Sequence, residues 1–453
     1  MKATLSQIGQ WISDSHITAD AVIDGVSTDS RQVVPGSLFV ALKGERFDAH
    51  RFLGDVAAAG KAAAVMVEQV PEGYPLPALV VHDTRQAMGE MAACWRRQFD
   101  IPVIGVTGSN GKTTVKEMIA SILRSAFGED GYLATAGNFN NDIGVPLTVF
   151  RLARSHRAAV IELGMNHVGE IAVLAAIAQP TVGLVNNAQR EHQEFMQSVE
   201  AVARENGTVI QTLPPEGVAV FPVGDTYSAL WTSLAGERAI VTFGFGDGAD
   251  VSARVVATGD KTRVAMQLAG ETVDVKLSTS GRHNVLNATA AAACCLAAGI
   301  DRLAIVRGLE AFVPVHGRLE RKTAFNGAQL IDDTYNANPD SVRAAIDVLS
   351  DMSGKSVLVL GDMGEVGDNG TRFHAEIGEY ARTRGIGHFF TFGNMARSAA
   401  EAYGKAARHF TEIDAMNHVL REMLAPEMTV LVKGSRFMKM ERVVEQLMEK
   451  EGR

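Results

Sequence analysis

One stretch of the sequence has the residue types and spacing to hold phosphate: Ile104-Gly105-Val106-Thr107-Gly108-Ser109-Asn110-Gly111-Lys112-Thr113-Thr114. It follows an apolar strand-like run and opens a helical one. Such a loop aims backbone N–H groups and a helix N-terminus at phosphate oxygens, with Lys112 reaching the β and γ positions of a nucleotide and Thr113 holding Mg²⁺. Gly108, Ser109, Asn110, Gly111 and Thr114 complete the expected loop. The strict GxxxxGK[ST] pattern is not met, since Val106 stands where its first glycine belongs. The plain alternative is a glycine-rich turn with one exposed lysine.

A nucleoside triphosphate also needs metal ligands, and in an open α/β sheet these belong at the C-terminal ends of neighbouring strands. Glu162 ends one apolar run, and His192 follows the run Gly183-Leu184-Val185-Asn186-Asn187 by a few residues. Each also has an ordinary reading, a carboxylate capping a turn and a structural histidine. The loop beside them favours metal.

These groups need a scaffold. From about Ile101 the chain repeats apolar strand, glycine-containing turn and helix. Pro102 to Val106, Ala159 to Leu163, Val182 to Val185, Val218 to Phe221 and Ala239 to Phe243 read as strands buried on both faces of a mainly parallel sheet. Lys112 to Ser125 and Gly169 to Ala178 read as helices, Val251 to Leu277 as an antiparallel hairpin, and Asn284 to Ala298 as an alanine-rich closing helix. A Pro and Gly cluster at Phe312 to Gly317 marks a linker. Beyond it Leu330 to Asp332, Ser356 to Leu360, His388 to Phe392 and Met428 to Val432 restart the alternation, a second doubly wound unit. Before residue 98, strand-like Ser37 to Leu42 and helical Arg85 to Arg97 predict a small α/β domain. The expected fold class is α/β in three domains, 1–98, 99–314 and 315–453.

Length agrees with that division, because 453 residues at about 150 per domain suggest three. The 46% hydrophobic and 21% charged composition suits packed cores rather than disorder. A net charge of −9 argues against a surface devoted to nucleic acid or anionic lipid. Three cysteines without metal-type spacing fit a reducing compartment. No run of about 18 apolar residues exists, so no membrane insertion is expected, and a cytoplasmic chain is.

The loop from Thr107 to Thr113 resembles that of the Mur ligases, ATP-dependent amide-forming enzymes of peptidoglycan precursor synthesis, whose phosphate loop reads T-G-[ST]-[NS]-G-K-T. The similarity spans the whole chain. Thr28-Asp29-Ser30-Arg31 and Pro35 to Gly44 are similar to the N-terminal domain of the third and fourth ligases. Gly137-Asn138-Phe139-Asn140-Asn141 to Pro146, Asp333 to Pro339, Gly361 to Glu365 and Val432 to Arg436 resemble signatures of the fourth. That member adds D-alanyl-D-alanine to UDP-N-acetylmuramoyl-tripeptide through an acyl phosphate.

The resemblance implies an N-terminal UDP-binding domain, a central ATPase domain and a C-terminal Rossmann-like domain, with ATP and Mg²⁺ as cofactors and a monomeric chain. It makes Lys112, Glu162, His192 and Arg318 catalytic, with Thr113, Glu162 and His192 on metal. It places Asn284 and Asn287 at the adenine, Arg318 at the γ-phosphate and Asp333 at the ribose. Ser30, Arg31 and Lys43 would meet UDP, and Asn138, Asn140 and Asn141 the muramoyl-peptide or nucleotide. Lys433 and Arg436 would recognise the dipeptide carboxylate, or else pair with acidic neighbours. The basic groups Lys43, Lys112, Arg318 and Lys433 are expected to converge on one cleft.

Two positions depart from the pattern. Asn206 stands where most members carry a lysine that is carbamylated and serves a second metal, and an amide forms no carbamate. Either His192 and other ligands hold that metal, Glu205 supplies the charge, or the alignment is displaced. His316 replaces a common proline. The competing readings are another ligase of the superfamily, such as the third Mur enzyme or a folylpolyglutamate synthetase, and a nucleotide-dependent switch.

Overall fold

The computed structural model describes residues 1–44, 47–259 and 261–448, so the last five residues of the expected third domain lie outside the described residues. A nine-stranded sheet forms the centre. In spatial order its strands are Glu271–Leu277, Thr262–Leu268, Val251–Ala257, Ala239–Phe245, Val218–Pro222, Val182–Val185, Val103–Thr107, Ala158–Glu162 and Tyr132–Ala134. All neighbours pair parallel except at Thr262–Leu268 and Glu271–Leu277. Val103–Thr107 and Ala158–Glu162 are buried at every residue, as their continuous apolar runs require. Helices Lys112–Phe127, Arg282–Ala297 and Arg302–Ala311 cover one face, and Glu170–Ala178, Val199–Gln211 and Ser228–Ala235 the other.

Chain order departs from Val103–Thr107 in both directions, to Ala158–Glu162 on one side and Val182–Val185 on the other. That reversal opens the crevice where α/β sheets take ligands, and the phosphate loop leaves the strand into it.

The stretch from Val251 holds three strands, not one hairpin. Thr262–Leu268 and Glu271–Leu277 form the hairpin through a two-residue turn, Ala269 and Gly270, both at positive φ. The first strand pairs antiparallel with Thr262–Leu268 on one side and parallel with Ala239–Phe245 on the other. Helix Arg302–Ala311, also unexpected, starts at Asp301, whose carboxylate accepts from the N–H groups of Leu303 and Ala304.

The N-terminal segment carries a five-stranded sheet and a two-stranded ribbon. Its helix Thr84–Arg96 packs on the central domain, and one apolar core runs from Ala3 and Leu5 to Trp231 and Ala235. Buried Arg96 fastens the junction by donating to the carbonyls of Phe99, Ile101 and Ala178.

The C-terminal sheet orders Glu320–Thr323, Gln329–Asp333, Met428–Lys433, Lys355–Gly361, His388–Phe392 and Ala407–Phe410, parallel except for the first. Two separate cores flank it. Both outer strands escaped the sequence reading because they are short and polar, as edges often are. No helix among the described residues is long and apolar enough to cross a membrane.

Candidate functional site

A cavity of about 780 Å³ opens at the C-terminal end of Val103–Thr107, between central and C-terminal sheets. The loop Ser109 to Thr114, Glu162, His192, Asn284 and Asn287 line it from the centre, and Arg318, Asp333 and Lys433 from the C-terminal side. Gly111 has φ +82°, and a Cβ there would meet Asn287 Oδ1 at 2.4 Å. The closeness reflects a relay of amides: Asn284 Oδ1 accepts from Asn287 Nδ2, Asn287 Oδ1 from Asn186 Nδ2, and Asn110 O from Asn186 Nδ2. Helix Arg282–Ala297 and the phosphate loop are thereby held in one register.

Lys112 Nζ donates to the carbonyl oxygens of Gly108 and Ser109 and to Glu191 Oε1, the last at 2.8 Å. Thr113 Oγ1 lies 3.2 Å from Glu162 Oε1, which also accepts from Asn140 Nδ2. Glu162 is 2% exposed, and its Oε2 is buried without a hydrogen-bond partner. Arg318 crosses from the C-terminal domain to donate from Nη2 to Thr113 Oγ1 at 2.9 Å, stacked over Tyr335 at 4.1 Å. Hydroxyl, carboxylate and guanidinium thus meet beside the lysine.

His192 sits at φ +48° and pairs through Nδ1 with Glu365 Oε2 at 2.6 Å, while Nε2 is 3.4 Å from Glu191 Oε1. Burial works against a charged ring, but Glu191 and Glu365 outweigh it and hold the imidazole up at about 9. Next to it Arg190 grips Asp340 with Nη2 at 2.6 Å and Glu376 with Nη1 at 2.7 Å. Asn110 and Asn338 exchange side-chain amide hydrogen bonds of 3.3 and 2.9 Å. Each of these contacts joins central to C-terminal domain.

Other expected residues are placed differently. Asp333 and Lys433 line the cavity but pair at 2.7 Å, and burial raises the Asp333 carboxyl against the pull of Lys433. Arg436 is on the surface with Glu441. Asn141 lines the cavity beside Asn140 while its Oδ1 accepts from the Gly144 N–H at the start of the helix Gly144–Val149, and Asn138 is exposed. Ser30, Arg31 and Lys43 lie outside this cavity. Arg31 chelates Asp29, holding that carboxyl down to about 2, and Lys43 faces Glu68 at 3.4 Å.

Two expectations need correction. Of the four basic groups expected to converge on one cleft, Lys112, Arg318 and Lys433 line this cavity and Lys43 does not; seven Asp and Glu line it against four Lys and Arg, so a polyanion needs cations alongside it. Glu205 is not a spare charge either. Its oxygens accept from the N–H groups of Gly169 and Ile171 at the start of the helix Glu170–Ala178.

Sequence reasoning missed Asn186 and Asn187, which end a central strand and brace the loop, and it missed Glu191, Arg190 and Glu365. The crevice rule applied at Val182–Val185 points to the asparagines. Adjacency to His192 is the only local signal for Glu191.

Comparison with known proteins finds three family models in chain order: "Mur ligase family, catalytic domain" over residues 22–96, "Mur ligase middle domain" over 106–295 and "Mur ligase, glutamate ligase domain" over 317–436. The chain is 42% identical over 99% of both chains to the UDP-N-acetylmuramoyl-tripeptide–D-alanyl-D-alanine ligase of Escherichia coli, and 35% identical to that of Bacillus subtilis over 99% of each. A crystal structure of MurF from Acinetobacter baumannii superposes with TM-score 0.92 at 35% identity, covering 99% of both chains. MurF ligase from Thermotoga maritima in complex with ADP matches with TM-score 0.84 at 26% identity, over 93% of this chain and 96% of that one.

Proposed function

The chain belongs to the Mur ligase family, and from that premise we infer that it joins D-alanyl-D-alanine to UDP-N-acetylmuramoyl-tripeptide, with ATP cleaved to ADP and phosphate. The observation that carries the reading is Arg318 reaching Thr113 from the other domain, so that a phosphate loop is completed only when two domains meet. A switch that merely holds nucleotide needs no such second half.

Amide formation from a carboxylate in water is uphill, which makes the coupling to ATP necessary. The tripeptide carboxylate attacks the γ-phosphorus, the bond to the β-phosphate oxygen breaks, and ADP leaves. The dipeptide amine then adds to the carbonyl carbon of the acyl phosphate. The tetrahedral adduct expels phosphate, which carries away the proton that the amine nitrogen gives up. Lys112 and Arg318 collect the charge that moves onto the transferring and leaving oxygens. Meeting of the domains keeps water from the acyl phosphate.

We propose Mg²⁺ as the metal, because the donors suit a hard cation: the Thr113 hydroxyl and a buried Glu162 oxygen without a partner. When bound, the ion neutralises phosphate charge. Asn284 and Asn287 are proposed for the adenine edge, since an amide donates and accepts at once. Asp333 takes the ribose. Asn140 is proposed for the peptide-bearing end, and Lys433 for the dipeptide carboxylate once it exchanges Asp333 for it. Ser30, Arg31 and Lys43 are assigned to UDP, beyond the cavity. Domain limits at 98/99 and 314/315, a monomer and a cytoplasmic location complete the proposal.

The test is phosphate release from ATP, Mg²⁺ and UDP-muramoyl-tripeptide. Release should require D-alanyl-D-alanine, and release with a single amino acid instead would sink the assignment.

A further inference from the structure

Asn206 is buried; its Oδ1 accepts from the Gly108 N–H at 3.0 Å, bracing the first residue of the loop, and its Nδ2 has no hydrogen-bond partner. An amide there offers no negative charge, and Glu205 spends both oxygens on a helix start. A carboxylate does lie close by on another element, that of Glu191. It is 9% exposed, its Oε1 lies 2.8 Å from Lys112 Nζ and 3.4 Å from His192 Nε2, and its Oε2 is buried with no hydrogen-bond partner. A buried carboxylate oxygen without a partner is costly and calls for a ligand. The acidic excess in the cavity makes that ligand a cation.

We propose that Glu191 is the carboxylate ligand of a second divalent cation that enters with the nucleotide, doing from the His192 segment what a carbamate on residue 206 cannot do here. Its Oε1 then passes Lys112 to the phosphates. The inference rests on the ATP-dependent reading above. Glu162, Glu191 and His192 do not form a preassembled cluster. Among the described residues only His316, Glu320 and Asp332 bring three ligand atoms within 4.8 Å of one another, and Lys322 already fills that group at 2.7 Å from Asp332. An open arrangement suits Mg²⁺, which takes one or two carboxylates and completes its shell with phosphate and water.

The test counts ions rather than turnover. Mn²⁺ bound to the full chain is titrated by electron paramagnetic resonance with a non-hydrolysable ATP analogue. The wild-type chain should take two ions with the nucleotide and Glu191→Gln one, while still binding the analogue. The double variant Glu191→Gln/Asn206→Lys should regain the second ion only in bicarbonate, which also shows that the single variant is folded. Two ions in Glu191→Gln, or one in the wild type, overturns the proposal. A wild type that binds no Mn²⁺ with the analogue overturns the ATP reading instead.

Discussion

Lys112 has three acceptors, two of them loop carbonyls and the third Glu191. Removing it should cost activity at least about 100-fold, the scale of losing a donor to developing charge. It should also lower unfolding stability by about 1–3 kcal/mol, because buried Glu191 loses its nearest cation and keeps only the more distant His192. Steady-state rates and denaturant titration of Lys112→Ala check both. At Gly111 the expectation is different. Alanine at φ +82°, with its Cβ on Asn287 Oδ1, carries about 1–2 kcal/mol of strain and displaces the amide relay. Isothermal titration of Gly111→Ala should therefore show nucleotide affinity reduced at least about tenfold with circular dichroism unchanged. These residues were legible in the sequence because their chemistry is local, a glycine, a lysine and two threonines in consecutive register. Arg190 was not, because its partners Asp340 and Glu376 lie 150 and 186 positions away and only folding brings them near.

Helix Gly370–Thr383 carries a pH dependence that belongs to the element. His374 is fully buried, its Nε2 accepts from the Met363 N–H, and its Nδ1 faces the Gly370 carbonyl. It therefore holds the segment Gly361 to Glu365 as a neutral ring. Burial pushes its pKa below the ordinary 6.5, so the folded state binds fewer protons than the unfolded one. Its contribution is complete above about pH 6.5 and is lost as pH falls toward the lowered folded value. The thermal unfolding midpoint of the C-terminal domain should fall as pH drops from 7 to 5.5, and a flat midpoint over that interval would contradict the assignment. At this scale the sequence showed the strands with two buried faces, whose apolar runs are unbroken. It hid the edges Glu320–Thr323 and Ala407–Phe410, whose pairing comes from the sheet and not from their own residues.

The two domain junctions are built from different materials. Central and C-terminal domains meet through polar pairs, Arg190 with Asp340 and Glu376, Asn110 with Asn338 and His192 with Glu365. N-terminal and central domains share an apolar core. Arg190→Ala should accordingly loosen only the first junction: small-angle scattering should show a larger radius of gyration and kinetics a higher KM for ATP, with secondary structure kept. Calorimetry should resolve two transitions, one for the fused N-terminal and central part and one for the C-terminal part, since parts joined only through polar pairs unfold separately. The composition and length arithmetic found three domains but could not rank their junctions, which depend on which helix faces meet. The shared core has a further consequence on the ribosome. Helix Thr84–Arg96 of the first domain packs against helices Gly144–Val149 and Glu170–Ala178 of the central one, so the first domain to emerge cannot finish packing until residue 178 has been made. At translation rates of about 5–20 residues per second that delay is on the order of ten seconds. For that interval its apolar helix face stands open, the stage at which a nascent chain most needs a chaperone.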